Sequence, residues 1–278
     1  MPTRIFNCHD VKLVASERGS PESQPVLLLH GAGQTRHTWS SLAKTLSAKG
    51  YYVLSLDLRG HGDSDWSAKQ DYSSDAFIHD IKCIVAELNQ LPIIVGASLG
   101  GLMSLLAIGE NSNQRLAKAL VLVDITPNLD KTGKARIIQF MQSNDAGFAN
   151  TDEAADSIAA YLPHRPRPKN SAGLLRNLRK HDDGRYYWHW DPAFFTGPNA
   201  THNDEDSRNV AAAKRVNVPT LLLRGQHSEL VSEEAVKSLL AFIPGAEYVD
   251  ISDAHHMIVG DNNDAFSTAV TQFIDAQQ

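Results

Sequence analysis

Gly96-Ala97-Ser98-Leu99-Gly100-Gly101 lies between the apolar run Leu91-Pro92-Ile93-Ile94-Val95 and a stretch, residues 99–108, that is almost wholly apolar or small. The order strand, glycine-flanked serine, helix places Ser98 on a sharp turn, where side chains at the flanking positions would collide with the neighbouring strand and helix. Such a turn lifts the hydroxyl to the C-terminal edge of a sheet, facing the N-terminus of the next helix, which favours developing negative charge. Ser98 is therefore a candidate nucleophile.

Working outward, short β-branched runs alternate with helical segments, as in a parallel sheet covered by helices. The pattern predicts strands over residues 3–8, 11–16, 26–29, 52–56, 93–96, 119–124, 220–223 and 246–249. The runs VLLL, YVLSL, IIVG and ALVLVD are nearly continuous in apolar residues, which means burial on both sheet faces. The first two strands alternate more and suit a hairpin at the sheet edge. Apolar residues at helical spacing predict helices over 39–49 and 74–88 as well as 99–108. From residue 127 to 216 the character changes. Prolines cluster (Pro163, Pro166, Pro168), aromatics concentrate in RYYWHWDPAFF, and no strand-like run is visible. Helical stretches at 135–142, 153–161 and 172–180 predict a helical insertion between a core of residues 1–126 and its continuation at 217–278. The aromatics of this segment suit a cap core, with some facing an apolar substrate pocket.

Composition narrows the function classes. Apolar residues make up 42% and charged residues 21%, with a formal net charge of -6, so a clustered positive surface for nucleic acid is not expected. No 18-residue apolar run and no apolar leader are present, which argues against a membrane partner. The two cysteines, Cys8 and Cys83, are far apart in sequence. They suggest neither a disulfide framework nor a cysteine-based zinc site, and reduced thiols without an export signal suggest the cytoplasm.

A second loop completes a chemical picture. Leu28-Leu29-His30-Gly31-Ala32-Gly33 also follows an apolar strand. Stabilising a tetrahedral oxyanion takes two backbone N–H donors. Leu99, just after the serine, and Ala32, in this loop, are the candidates. His30 reads as a structural brace. Asp57-Leu58-Arg59-Gly60-His61-Gly62-Asp63-Ser64 is rich in charge, but Arg59 repels a cation and the spacing is not that of a metal site. A structural turn is expected there.

HGAG with Trp39 following, DLRGHGDSDW at 57–66, GASLGG at 96–101, LVLVD at 120–124 and PTLLLRG at 219–225 together resemble the α/β-hydrolase superfamily. The resemblance spans both ends of the chain and leaves only the insertion generic. It implies an α/β-hydrolase fold, a mostly parallel eight-stranded sheet with a helical cap over the site. It also implies a serine, acid, histidine order along the chain. In such relatives the base histidine lies in a loop after the last strand. His255 and His256 stand there, and His256, followed by Met257, fits the pattern better. The commoner acid position, three residues after Gly225, holds Ser228. A subset of relatives reads Ser-Asp at this point, which makes Glu229 the first choice, with Asp124 as the alternative.

The resemblance further implies hydrolysis of a carboxylic ester or related acyl bond through an acyl-enzyme, with no cofactor and no metal, and the cap aromatics suit a small to medium apolar substrate. A lactone, thioester or carbon–carbon bond would use the same machinery. Epoxide hydrolases and haloalkane dehalogenases on this scaffold usually carry aspartate where Ser98 stands. A non-hydrolytic ligand receptor is the alternative from a different class. Oligomeric state is left open.

Overall fold

The computed structural model describes residues 2–167, 170–198, 205–261 and 263–277. Pro168 of the proline cluster lies outside them. In chain order the strands are β1 (Thr3–Cys8), β2 (Val11–Arg18), β3 (Pro25–Leu29), β4 (Tyr52–Leu56), β5 (Ile93–Ala97), β6 (Ala119–Val123), β7 (Leu178–Lys180), β8 (Tyr186–Trp188), β9 (Thr220–Gly225) and β10 (Glu247–Ile251). The helices are α1 (Ser40–Ala48), α2 (Ser74–Ala86), α3 (Leu99–Glu110), α4 (Lys131–Met141), α5 (Thr151–Tyr161), α6 (Ala193–Thr196), α7 (Asp206–Ala213), α8 (Glu233–Phe242), α9 (Ile258–Asp261) and α10 (Asn263–Asp275).

Eight strands form one sheet in the order β1-β2-β4-β3-β5-β6-β9-β10. β2 runs antiparallel to both its neighbours, and every other pairing from β4 to β10 is parallel. The alternating runs predict the helix-covered parallel sheet, and the eight-stranded, mostly parallel order is the α/β-hydrolase architecture that the resemblance implies. The central strands β3, β4, β5, β6 and β9 are buried at every residue. Their alternate side chains feed two cores. On one face Leu27, Leu29, Leu54, Ile94, Leu120 and Leu122 join a cluster with Phe77 and Ile81 of α2 and Leu106 of α3. On the other, Val26, Leu28, Val95 and Val121 join a cluster with Leu42 and Leu46 of α1 and Phe266 and Val270 of α10. Two covered faces explain why these strands carry apolar residues at successive positions rather than every second one.

Two expectations are corrected here. The segment between β6 and β9 does contain strands: β7 and β8 form a two-stranded antiparallel ribbon, with Leu178 opposite Trp188 and Lys180 opposite Tyr186. The helix expected over 172–180 is a 3-10 turn, Ala172–Asn177, that leads into β7. A strand of three residues is too short to show a period.

The second correction concerns the cysteines. Cys8 at the end of β1 and Cys83 on α2 form a disulfide with a Cα–Cα distance of 5.8 Å, across 75 residues of sequence. Packing of α2 against the sheet brings together what sequence distance separates. Disulfides persist in oxidising surroundings, so thiol content no longer supports a cytoplasmic setting. None of the helices among the described residues is long and apolar enough to cross a membrane.

Thiol titration of the denatured, unreduced protein is expected to find no free cysteine, and two after reduction. Cys8→Ser combined with Cys83→Ser should lower unfolding stability by about 2–4 kcal/mol in urea titrations. Free thiols in the unreduced protein would contradict the bridge.

Candidate active site

Parallel strands bring their C-terminal ends to one edge of the sheet, and the register aligns the loops that leave it. Leu29 pairs with Gly96, Ala97 with Val123 and Gly225 with Ile251. The loops after β3, β5, β6, β9 and β10 therefore converge on that edge.

Ser98 links β5 to α3 with φ 46° and ψ -113°, a left-handed conformation that is costly for a residue with a Cβ. Close packing holds it there. A Cβ on Gly96 would stand 2.5 Å from the Gly101 backbone, and one on Gly100 would stand 2.5 Å from the Leu29 carbonyl oxygen. The Ser98 amide donates to Val123 O (3.1 Å) and the Gly100 amide to His30 O (3.2 Å), which tie the turn to both flanking strands. Leu99 is the first residue of α3, so its N–H has no helical acceptor four residues back.

The loop after β3 is fixed by three buried histidines. The Leu58 N–H donates to His30 Nε2 (3.0 Å), so the proton of that neutral ring sits on Nδ1 and donates to Gly31 O (2.7 Å). The Gly33 N–H likewise donates to His61 Nε2 (3.1 Å), leaving Nδ1 to donate to Arg59 O (3.0 Å). His189, just after β8, accepts from the Gly62 N–H (2.8 Å) and turns Nε2 toward Gly33 O (3.2 Å). Gly31 N–H donates to Gln34 Oε1 (3.0 Å). Ala32 thus sits between two glycines whose backbones are both held. Burial pushes the His30 ring down to about 4 and the His61 ring to about 3, and drives His189 well below the ordinary imidazole value. All three stay neutral near pH 7, as their acceptor roles require. His30 braces the loop, as the sequence suggests. The Asp57–Ser64 turn is also structural: Asp57 accepts from the Arg36 and Asp63 amides (2.6 and 2.9 Å), and Arg59 makes two bonds to Asp80 (2.6 and 2.7 Å).

His256 Nδ1 lies 2.7 Å from Asp124 Oδ2. Asp124 is fully buried at the end of β6, with φ 50°. Its Oδ1 accepts from the Gly225 N–H (2.9 Å), and its Oδ2 also accepts from Ser228 Oγ (2.5 Å). The expectation that Glu229 faces the imidazole is corrected. Ser228 turns inward to Asp124 and receives the Leu230 and Val231 amides (3.2 and 3.0 Å), which sends the next side chain outward. Glu229 is 53% exposed and pairs with Arg136 of α4 at 2.6 Å. Ser228, absent from the sequence-based candidates, occupies the usual acid position, and that substitution was the signal pointing to Asp124.

The neighbours of His256 are held as well. His255 stacks on His164 with centroids 3.6 Å apart, and Arg165 Nη2 donates to Met257 O at 2.7 Å. The turn after α5 therefore grips the loop on both sides of His256.

Ser98, Ala32 and His256 line one cavity of about 170 Å³, together with Phe140, Tyr161, Trp188 and Trp190. Ser98, Ala32 and Leu99 line a second, of about 120 Å³, walled by Leu102, Ile125, Phe194 and Phe195. Of the aromatics in RYYWHWDPAFF, both tryptophans and both phenylalanines reach these cavities. Tyr186 and Tyr187 do not line them. Among the described residues no group of three or more His, Cys, Asp or Glu is placed to hold a metal ion.

Comparison with known proteins agrees with the fold. Residues 24–263 match the model of the alpha/beta hydrolase fold family. The esterase Rv0045c of Mycobacterium tuberculosis is 28% identical over 232 residues, 81% of this chain and 74% of its own. The sn-1-specific diacylglycerol lipase ABHD11 of Mus musculus is 28% identical over 257 residues, 90% of this chain and 80% of its own. Among solved structures, an E-2-(acetamidomethylene)succinate hydrolase superposes with a TM-score of 0.87 at 24% identity, covering 99% of both chains.

The histidine brace has a pH signature. Each of the three rings binds its proton less readily folded than unfolded, so between pH 6.5 and about 4 the unfolded chain holds more protons. Their contribution to stability is complete above pH 6.5 and shrinks as pH falls, by roughly 1 kcal/mol per pH unit for each. Urea unfolding measured from pH 7 to 4 should show this slope. His189→Asn should make it shallower, and an unchanged slope would remove His189 from the account.

Proposed function

We propose, for a chain that belongs to the alpha/beta hydrolase fold family, that it is a serine hydrolase of carboxylic esters with Ser98 as nucleophile, His256 as base and Asp124 as the orienting acid. The observation that carries the reading is the 2.7 Å contact of buried Asp124 with half-buried His256, whose ring lines the same cavity as the strained Ser98 turn. The names of the relatives, an esterase and a diacylglycerol lipase, support the ester class.

In this mechanism His256 Nε2 takes the Ser98 proton as Oγ forms a bond to the ester carbonyl carbon. Asp124 fixes the proton of His256 on Nδ1 and stabilises the imidazolium. The carbonyl oxygen, now negative, accepts from the Ala32 and Leu99 N–H groups. Collapse breaks the carbon–oxygen bond to the alcohol, and His256 returns the proton to that oxygen. Water then attacks the acyl-enzyme with the same base, releasing the acid and restoring Ser98. These steps ask for no cofactor and no metal. Residues 127–216 serve as the cap that excludes water and shapes an apolar site for a small ester.

A fluorophosphonate probe should form a single adduct, located by mass spectrometry at Ser98, and Ser98→Ala should abolish both adduct and ester turnover. An adduct elsewhere would overturn the reading. Asp124→Asn should lower kcat by about 10³–10⁴-fold, whereas Glu229→Gln should change it less than about twofold. The opposite ranking would restore Glu229 as the acid.

A further inference from the structure

The second cavity beside Ser98 is not apolar throughout. Leu102, Met103, Ile125 and Phe194 wall part of it, but Ser74, Lys131, Lys134, Glu205, Asp206 and Asn209 line it too. Resting on the serine-hydrolase reading, we infer that this polar stretch is a binding subsite for a substrate arm that ends in a hydrogen-bond donor, a hydroxyl or an amide N–H. Asn209 Oδ1 is the acceptor that selects it.

Asn209 lies on α7 and is 5% exposed. Its Nδ2 donates to Pro127 O at 3.3 Å, which fixes the amide plane and decides which of its ends is the carbonyl. Oδ1 is buried and accepts from no donor among the described residues. A buried acceptor without a donor is costly and rare in a folded chain. This one belongs to a residue on the wall of a cavity that Ser98 also lines. With Nδ2 committed, Oδ1 is what Asn209 offers to a ligand. A methyl or ether end cannot serve it, whereas a hydroxyl or N–H can.

The subsite stands away from the nucleophile. α3 starts just after Ser98 and rises about 1.5 Å per residue. It meets α7 near its far end, where Arg208 pairs with Glu110 at 2.6 Å and a Cβ on Gly109 would run into the Ala212 backbone. Leu102 and Met103 belong to the first part of that path. An arm therefore crosses apolar wall before its end meets Asn209. The charged residues then choose between a neutral and an ionic end. Lys131 and Lys134 are matched in number by Glu205 and Asp206, so the wall has no net sign and draws in neither anion nor cation. Glu205 already accepts from Ser74 Oγ at 2.8 Å. A neutral donor is the end that this wall takes without burying an unpaired charge.

The test varies only the end of the arm. Ethyl butanoate, hexanoate, octanoate and decanoate, and the acetates of the matching alcohols, are each made with a terminal methyl, methoxy or hydroxyl group. A further pair ends in an acetamido N–H or its N-methyl form. Methoxy is polar but donates nothing, so the hydroxyl-to-methoxy ratio of kcat/KM reads donation alone. The ratio is taken within each variant, so a general loss of activity cancels. At its best chain length, on the arm that enters the cavity, the native protein should favour hydroxyl over methoxy, and N–H over N-methyl, by about three- to tenfold. Asn209→Leu should bring both ratios to about one. Asn209→Asp keeps the shape and adds a negative charge, so it should turn the preference toward an ammonium-ended ester, and it reports should the leucine variant fold poorly. A native ratio of one at every length on both arms, or a preference that survives Asn209→Leu, overturns the subsite. Binding of the same esters to Ser98→Ala, followed by calorimetry, gives the ranking without chemistry, and equal binding of hydroxyl and methoxy forms would likewise overturn it. Tighter binding of the hydroxyl form, beside a native protein that fails to label with fluorophosphonate at Ser98, keeps the subsite and overturns the hydrolase reading instead.

Discussion

Three backbones approach one another within reach of a missing methyl group at the end of β5, and the site is built on that closeness. Gly96, Gly100 and Gly101 lie so near each other and the Leu29 carbonyl that a Cβ at any of them would meet an atom at 2.5 or 2.6 Å. The crowding holds Ser98 at its left-handed φ of 46°, because relaxing that angle would drive the start of α3 into β3 or β6. Local strain is thus maintained by packing on every side. It also sets the distance between the Leu99 amide and the loop after β3, since Gly100 N–H is bonded directly to His30 O.

That loop owes its shape to rings that carry no charge. Each of His30, His61 and His189 accepts one backbone N–H, and each of these bonds requires a specific tautomer on a ring with no exposed surface or nearly none. An imidazole suits the task because it offers one donor and one acceptor on opposite sides of a rigid plane. His189 arrives from the ribbon between β6 and β9, and Arg165 and His164 from the turn after α5. The inserted segment therefore touches the loop after β3 and the loop of His256 directly, besides lining the cavities.

How far this could be read from the sequence depended on whether the signal was local. All eight strands of the main sheet were legible, because burial on both faces leaves continuous apolar runs. The serine turn was legible because glycines at fixed offsets have few other uses. The acid was not. Which carboxylate meets His256 depends on whether β9 or β6 sends a side chain beneath the imidazole, and a reading one strand at a time is blind to that. Ser228, standing where the resemblance implies an acid, is the clue in the sequence, and the carboxylate of the adjacent Glu229 masks it. The β7–β8 ribbon lacked any period, and the Cys8–Cys83 bridge depends on helix-to-sheet docking across 75 residues.

The placement of Asp124 has a broader consequence. β5 and β6 are hydrogen-bonded neighbours, with Ala97 opposite Val123, so the serine and its carboxylate are mounted side by side on one rigid plate. Only the imidazole travels in from elsewhere. The chain between Asp124 and β9 can therefore lengthen, shorten or be exchanged without altering the spacing of the two groups on the plate. On such a frame, a lineage can remodel what the molecule accepts while inheriting the spacing of Ser98 and Asp124 unchanged.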